Sequence, residues 1–183
     1  MNTLAFEIRP SPDTPDHEVR VRVDGRDLLD GVHIGVDPPE FFGQFAGGGA
    51  NRLVIGRCAC GLMGCDDTIV LVERGAYDVI WRAQEEFRFD RAHYEDAVRG
   101  AANDFSWEDA KRRAERLVGG ILRGARTPDG FAFEWASARI APLTIGLGFT
   151  KGGERKMLKF GWDGATDTSA IQGAKHLKRQ LMW

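Results

Sequence analysis

The sequence predicts an α+β fold: a mainly antiparallel sheet, a central pair of helices and a short C-terminal helix packed on it. Three observations carry that expectation. Segments rich in β-branched and aromatic residues cluster before and after a helical middle instead of alternating with helices. Two pairs of such segments flank short glycine-containing turns, at 74–76 and 150–154. Between them, across 90–121, the apolar period changes from two to three and four. With 183 residues, 43% hydrophobic and 28% charged, the chain is read as a single domain, 1–183, large enough to bury a core.

The elements follow in order. Residues 1–17 hold Pro10, Pro12 and Pro15, which give no N–H to a ladder, so they form a turn-rich opening segment with a short edge strand at 4–8. Val19, Val21 and Val23 alternate with Arg20 and Arg22, the pattern of a half-buried strand, and Asp24-Gly25 ends it with a hairpin turn into 26–30. Pro38-Pro39 opens a short helix, and Gly47-Gly48-Gly49 makes a permissive loop after it. Residues 52–56 read as a strand, and 68–73 and 77–82 as a hairpin about Gly75.

Asp90 then caps a helix with apolar Tyr94, Ala97, Val98 and Ala101. Ser106 is expected to open a second helix, with Asp109 three residues on and an apolar stripe through Trp107, Ala110, Ala114, Leu117, Val118 and Ile121. Phe131, Phe133 and Trp135 are placed on one core face of a strand over 130–135, followed by a hairpin of 143–149 and 157–162. Ser169 is expected to cap the last helix, whose tail of Lys175, His176, Lys178 and Arg179 suits the negative end of its dipole. One open sheet covered on one face by helices would bury both apolar sets. A doubly wound nucleotide fold is disfavoured, since no Gly-x-Gly-x-x-Gly joins a strand to a helix and no phosphate-loop motif occurs.

No stretch approaches about 18 consecutive apolar residues, so no membrane-spanning helix is expected. Acid arrives at Glu7 without a basic segment before it, unlike a secretory signal, and three closely spaced cysteines make a poor disulfide framework. A cytoplasmic location is the expectation. The net charge of −2 hides a split: residues 1–110 hold 11 Arg, no Lys and 21 Asp and Glu, a balance of −10, and 111–183 hold 14 Lys and Arg against 6 acids, +8. Either the two parts neutralise each other in place, or each steers a partner of opposite sign.

Cys58, Cys60 and Cys65 fall within eight residues between two predicted strands, spaced C-x-C-x4-C. Three readings stand: packed free thiols filling a tight crossover; a tetrahedral zinc site whose fourth ligand comes from His33, His93, His17 or an Asp such as Asp66; or a redox pair, with Cys60 and Cys65 meeting across a turn. The surrounding residues are Ile55-Gly56-Arg57-Cys58-Ala59-Cys60-Gly61, Gly64-Cys65, Trp81, and Phe89-Asp90-Arg91 with Tyr94, preceded by 21–28. This string resembles a set of small uncharacterised bacterial proteins that share strand, C-x-C-G-x-x-G-C, hairpin, Trp and a Phe-Asp-Arg helix start. The resemblance spans about 19–102 and implies no reaction, ligand or catalytic residue.

Other constellations are weaker. There is no Gly-x-Ser-x-Gly elbow. A Cys65 or Cys58 nucleophile would need His93 or His33 as its base. Glu154-Arg155-Lys156 has the look of a metal-nuclease element only if a neighbouring strand supplies a carboxylate such as Glu134. Nucleic-acid or acidic-partner binding would need Arg112 and Arg116 to join Lys151, Arg155, Lys156 and Lys159 in one positive strip, with Trp162 or Trp183 for stacking. The leading expectation is a non-enzymatic protein-interaction module of immunity or antitoxin type, its acidic part meeting a basic protein partner and no cofactor required. Zinc binding, or a metal-dependent enzyme, at the cysteines is the alternative, and nucleic-acid binding the third.

Overall fold

The computed structural model describes residues 1–11, 16–29, 33–46, 49–60 and 64–181. Among them the α+β class and its antiparallel pairing are observed, and the strands fall into three sheets rather than one. The chain forms two compact units, Met1–Trp107 and Glu108–Trp183, where the sequence reading took 1–183 as one domain. Each unit encloses its own core.

In the first unit, β1 (Leu4–Pro10) and β2 (His17–Val23) pair from Leu4 opposite Val23 to Pro10 opposite His17. Asp24 and Gly25 both take positive φ, 51° and 79°, which gives the turn the twist a two-residue hairpin needs before β3 (Arg26–Asp27). Asp24 tolerates that backbone because its carboxylate accepts Asn2 Nδ2–H and the Thr3 N–H, each at 2.7 Å. Next come β4 (His33–Gly35) and α1 (Pro38–Gly43), then β5 (Arg52–Cys58), β6 (Thr68–Arg74), β7 (Asp78–Arg82) and β8 (Glu86–Asp90). The last four strands and β4 form a meander in the order β4-β5-β6-β7-β8. Gly47 and Gly48, expected in a loop, lie outside the described residues.

The strand β8 is an element the sequence reading passed over. Phe87 and Phe89 alternate with Glu86 and Arg88, but Asp90 is both the last strand residue and the cap of α2 (Arg91–Ala102), so no turn separates the strand from the helix that follows. Its carboxylate accepts the His93 N–H at 3.0 Å, as expected. The core gathers Val19, Val21 and Val23 with Leu53, Ile55, Val70, Val72, Trp81 and Phe89, all essentially buried. At about 1.5–3 kcal/mol for each such side chain removed from water, this set dominates the unit's stability.

Charge is also buried here. Glu18 and Arg20 are 3% and 2% exposed. Glu18 accepts Arg9 Nε–H at 2.7 Å and the Gly35 N–H at 2.6 Å, and Arg20 donates to Asp27 at 2.9 Å and to the His33 carbonyl at 2.8 Å. These bonds, with the Val19–Val36 bridge, fasten β4 across β2. A Cβ at Gly35 would stand 2.3 Å from the Val19 carbonyl oxygen, so only glycine permits that approach. Much of the acidic surface is latticed with arginine: Glu7 with Arg22, Glu85 with Arg26, Glu40 with Arg57, Glu73 and Glu86 with Arg82, Glu95 with Arg91.

The second unit runs α3 (Ala110–Leu122), β9 (Ala132–Ala141), β10 (Thr144–Lys151), β11 (Glu154–Gly161) and α4 (Asp167–Leu181). Its sheet has β10 in the middle and carries both helices against one face through Ala114, Val118, Leu122, Ile145, Leu147, Phe149, Ala170 and Ala174. Gly152 and Gly153, at φ 56° and 88°, make the expected β10–β11 turn. Two caps differ from expectation. Asp109, not Ser106, caps α3 by accepting the Arg112 N–H at 2.8 Å, and Trp107 precedes the helix. Thr166 Oγ1 accepts the Ser169 N–H at 3.3 Å, so α4 begins at Asp167, and at 15 residues it is longer than α2 or α3 where a short helix was expected.

The strand β9 runs on to Ala141, and Trp135 is not core. Phe133 faces Phe149 and Trp135 faces Gly148, so two residues of β9 span one step of β10 around Glu134. That bulge rolls Trp135 to the outer face, where it is 37% exposed and lies over Gly148, while Phe131 and Phe133 stay with the core.

Candidate metal centre

The metal candidate is built at the end of the β4–β5 ladder. Cys58 is the last residue of β5 and stands opposite His33 of β4. Cys60 and Cys65 follow in the connection to β6; Gly61, Leu62 and Met63 lie outside the described residues. The loop's return is organised by Asp67, whose Oδ2 accepts the Gly64 N–H at 3.0 Å, with Gly64 at φ 75°. On the other side of Cys58, Arg57 forks onto Glu40 of α1, and that hydrogen bond raises its pKa.

The three sulfurs lie within 4.8 Å of one another. Cys58 is half-buried, and Cys60 and Cys65 are exposed. The packed-thiol reading therefore fails on burial: two of the three face solvent. No disulfide joins them. Hydrogen bonding to Cys58 and Cys60 pushes the Cys65 thiol up to about 11. Such a proton is hard to remove until a cation takes its place among the sulfurs.

Of the fourth ligands considered, His33 sits nearest the cluster in the ladder, but its Nε2 is 3.2 Å from Asp66 Oδ2. His93 on α2 is 90% exposed beside the capping Asp90, and the His17 ring lies tilted against Trp107 with centroids 5.0 Å apart. Asp67 was not named among these, yet its Oδ1 is buried with no hydrogen-bond donor among the described residues. No sequence signal marked it beyond its place two residues after Cys65. A nucleophilic role fits poorly, since a reactive cysteine needs a lowered pKa and Cys65 has the opposite. Glu134 and Glu154 stand on β9 and β11 with β10 between them, so the nuclease-type pair is not assembled.

The proposed basic strip is also not assembled. Arg112 is 3% exposed and reaches Glu115 at 3.3 Å, and Arg116 forks onto Glu108 at 2.8–3.0 Å. Glu115 further accepts from Ser137 Oγ, Ala138 N and Arg139 Nε at 2.8–3.1 Å. Lys151 and Lys156 converge on Asp129, at its carbonyl and carboxylate, 2.6 and 2.7 Å away, and both lie over the Phe131 ring. Period two then sends Arg155 and Lys159 to the opposite face of β11, where neither has an ion-pair partner among the described residues. Trp162 is buried, and Trp183 lies outside the described residues. No helix among the described residues is long and apolar enough to cross a membrane.

No family model matches the chain, and neither the curated proteins nor the solved structures contain a significant match to it.

Proposed function

We propose that the chain is a zinc–thiolate module: Cys58, Cys60 and Cys65 hold one zinc ion that fastens the β5–β6 crossover of a non-enzymatic, cytoplasmic interaction protein. The observation that carries this reading is the mutual approach of the three sulfurs within 4.8 Å. Tetrahedral Zn–S bonds of about 2.3 Å set sulfurs about 3.8 Å apart, so the thiols need close by only about 1 Å to ligate. Asp67 is the choice for the fourth ligand, because its buried Oδ1 has no donor and lies in the same loop; its oxygens are not within 4.8 Å of all three sulfurs, so the loop would close further around the ion for it to ligate. Its Gly64 bond would then act as the outer-shell support that orients a ligating carboxylate.

Cobalt titration tests the site directly. The expected result is saturation at about one Co²⁺ per chain, with thiolate charge-transfer absorption and the strong visible bands of a tetrahedral ion. Cys65→Ser is expected to abolish those bands and Asp67→Asn to weaken cobalt binding about 10- to 100-fold. Octahedral, weakly coloured cobalt would contradict the reading.

A second reading, docking of a protein partner, draws on the outer face of the β9–β11 sheet. Trp135, Ile140 and Met157 are 37%, 65% and 55% exposed there, above Gly146 and Gly148, with Arg155 and Lys159 beside them. Such a face suits an acidic amphipathic segment: an apolar stripe for the Trp and Met, carboxylates for the two cations. The acidic unit offers less to a basic partner, since so many of its carboxylates already hold arginines. A synthetic Leu/Glu amphipathic peptide is expected to bind by calorimetry and to lose about tenfold in affinity with Arg155→Glu plus Lys159→Glu. Equal binding of a Leu/Lys peptide, or a preference for a single-stranded oligonucleotide, would overturn it.

A further inference from the structure

The second unit holds a cavity of about 270 Å³ that none of the sequence motifs anticipated. It opens between the first turn of α3, the β9–β10 turn and the segment after β11. Its walls are apolar, from Pro142, Leu143, the Trp162 ring and two alanines of β9, and its polar lining consists of cations, Lys111 and Arg139, with no carboxylate. Exposed Lys111 and Leu143 stand at its rim.

Two features make this more than a packing gap. Trp162 is 6% exposed, yet its Nε1–H is buried without an acceptor among the described residues. An indole N–H is a donor only, so leaving it unmatched costs free energy, and a small turn of the ring toward the cavity would let a ligand acceptor recover it. The walls are also preformed. Leu143 holds a positive φ of 51°, its carbonyl accepts the Trp162 N–H at 3.0 Å, and its Cδ2 occupies the space a Cβ at Gly164 would need. Arg139 is set from behind by Glu115 at 2.9 Å, and desolvation lowers its pKa.

We infer that this cavity binds a small organic carboxylate with a compact apolar body, its carboxylate between Lys111 and the Trp162 indole N–H and its body against Pro142 and Leu143. A lining whose charged side chains are all cations selects an anion. Apolar walls with so few cations select a monocarboxylate over a phosphate, and the volume admits an aromatic acid of one ring.

The test follows the five tryptophan indole N–H resonances of the full chain by ¹H–¹⁵N correlation, with Trp162 assigned through Trp162→Phe. Phenylacetate is expected to shift the Trp162 resonance saturably at concentrations of about 1 mM or below, and Lys111→Ala to weaken binding about tenfold. Neutral phenylacetamide and inorganic phosphate are expected to leave it unmoved. Because Lys111 is exposed, its replacement leaves the fold intact, which the remaining spectrum checks. An unmoved Trp162 resonance with phenylacetate, or an equal shift with the amide or with phosphate, would overturn the inference. A metal-free preparation gives the same result if the inference holds, so failure here is distinct from failure of the cysteine site.

Discussion

At the scale of single residues, Cys65 holds the proton that a bound cation must displace. In the metal-free chain its folded pKa is about 11 against an ordinary 9.0, so the folded state binds this proton more tightly than the unfolded one. The stabilisation is complete below pH 9 and is lost as pH rises through about 11. Thermal melts of chelator-treated protein are therefore expected to fall across that alkaline window. With zinc bound the thiolate is already formed, and the alkaline fall should disappear. An identical pH dependence with and without zinc would separate Cys65 from the metal. Nearness in sequence made a metal site one of three readings of the cysteines, beside packed thiols and a redox pair. Asp67 was not legible, because an orphaned carboxylate oxygen is a fact of three-dimensional burial.

Elements were legible wherever a local rule had no competitor. Asp90 capping α2, the Asp24-Gly25 and Gly152-Gly153 turns and the alternating valines of β2 all follow from short-range chemistry. The misses share a cause, which is that a neighbour changed the local rule. The bulge at Glu134 turned Trp135 outward, and Asp109 outcompeted Ser106 as a cap by reaching the Arg112 N–H. Two glycines measure such close approaches. Alanine at Gly35 would press the Val19 backbone and break the Val19–Val36 bridge, whereas the nearest atoms to an alanine Cβ at Gly148 are those of the Trp135 ring. Denaturant unfolding is expected to show a cost of about 1–3 kcal/mol for Gly35→Ala and a smaller one for Gly148→Ala, since a half-exposed ring can swing away. Equal costs, or a larger one at Gly148, would contradict this account of the two contacts.

For the whole molecule, pattern predicted the class and pairing of the strands but not their division into three sheets around two cores. Apolar periodicity says which face is buried and not which neighbour buries it. The change in charge sign near residue 110 was the one sequence feature that falls close to the unit boundary at Trp107–Glu108. Counted by unit, the first holds 11 Arg and 19 acids, −8, and the second 14 basic and 8 acidic residues, +6. Neither number gives a function by itself, because arginine–carboxylate lattices absorb so much of both. The thiol crossover is different: three soft donors lie within 4.8 Å of one another at the end of β5. Zinc content decides the matter most directly. Protein purified without added metal and without chelator is expected to contain about one zinc per chain, falling to near zero in the Cys58→Ser, Cys65→Ser double variant. Wild-type protein that is folded and free of zinc, and that takes none up when zinc is supplied, would contradict the central claim.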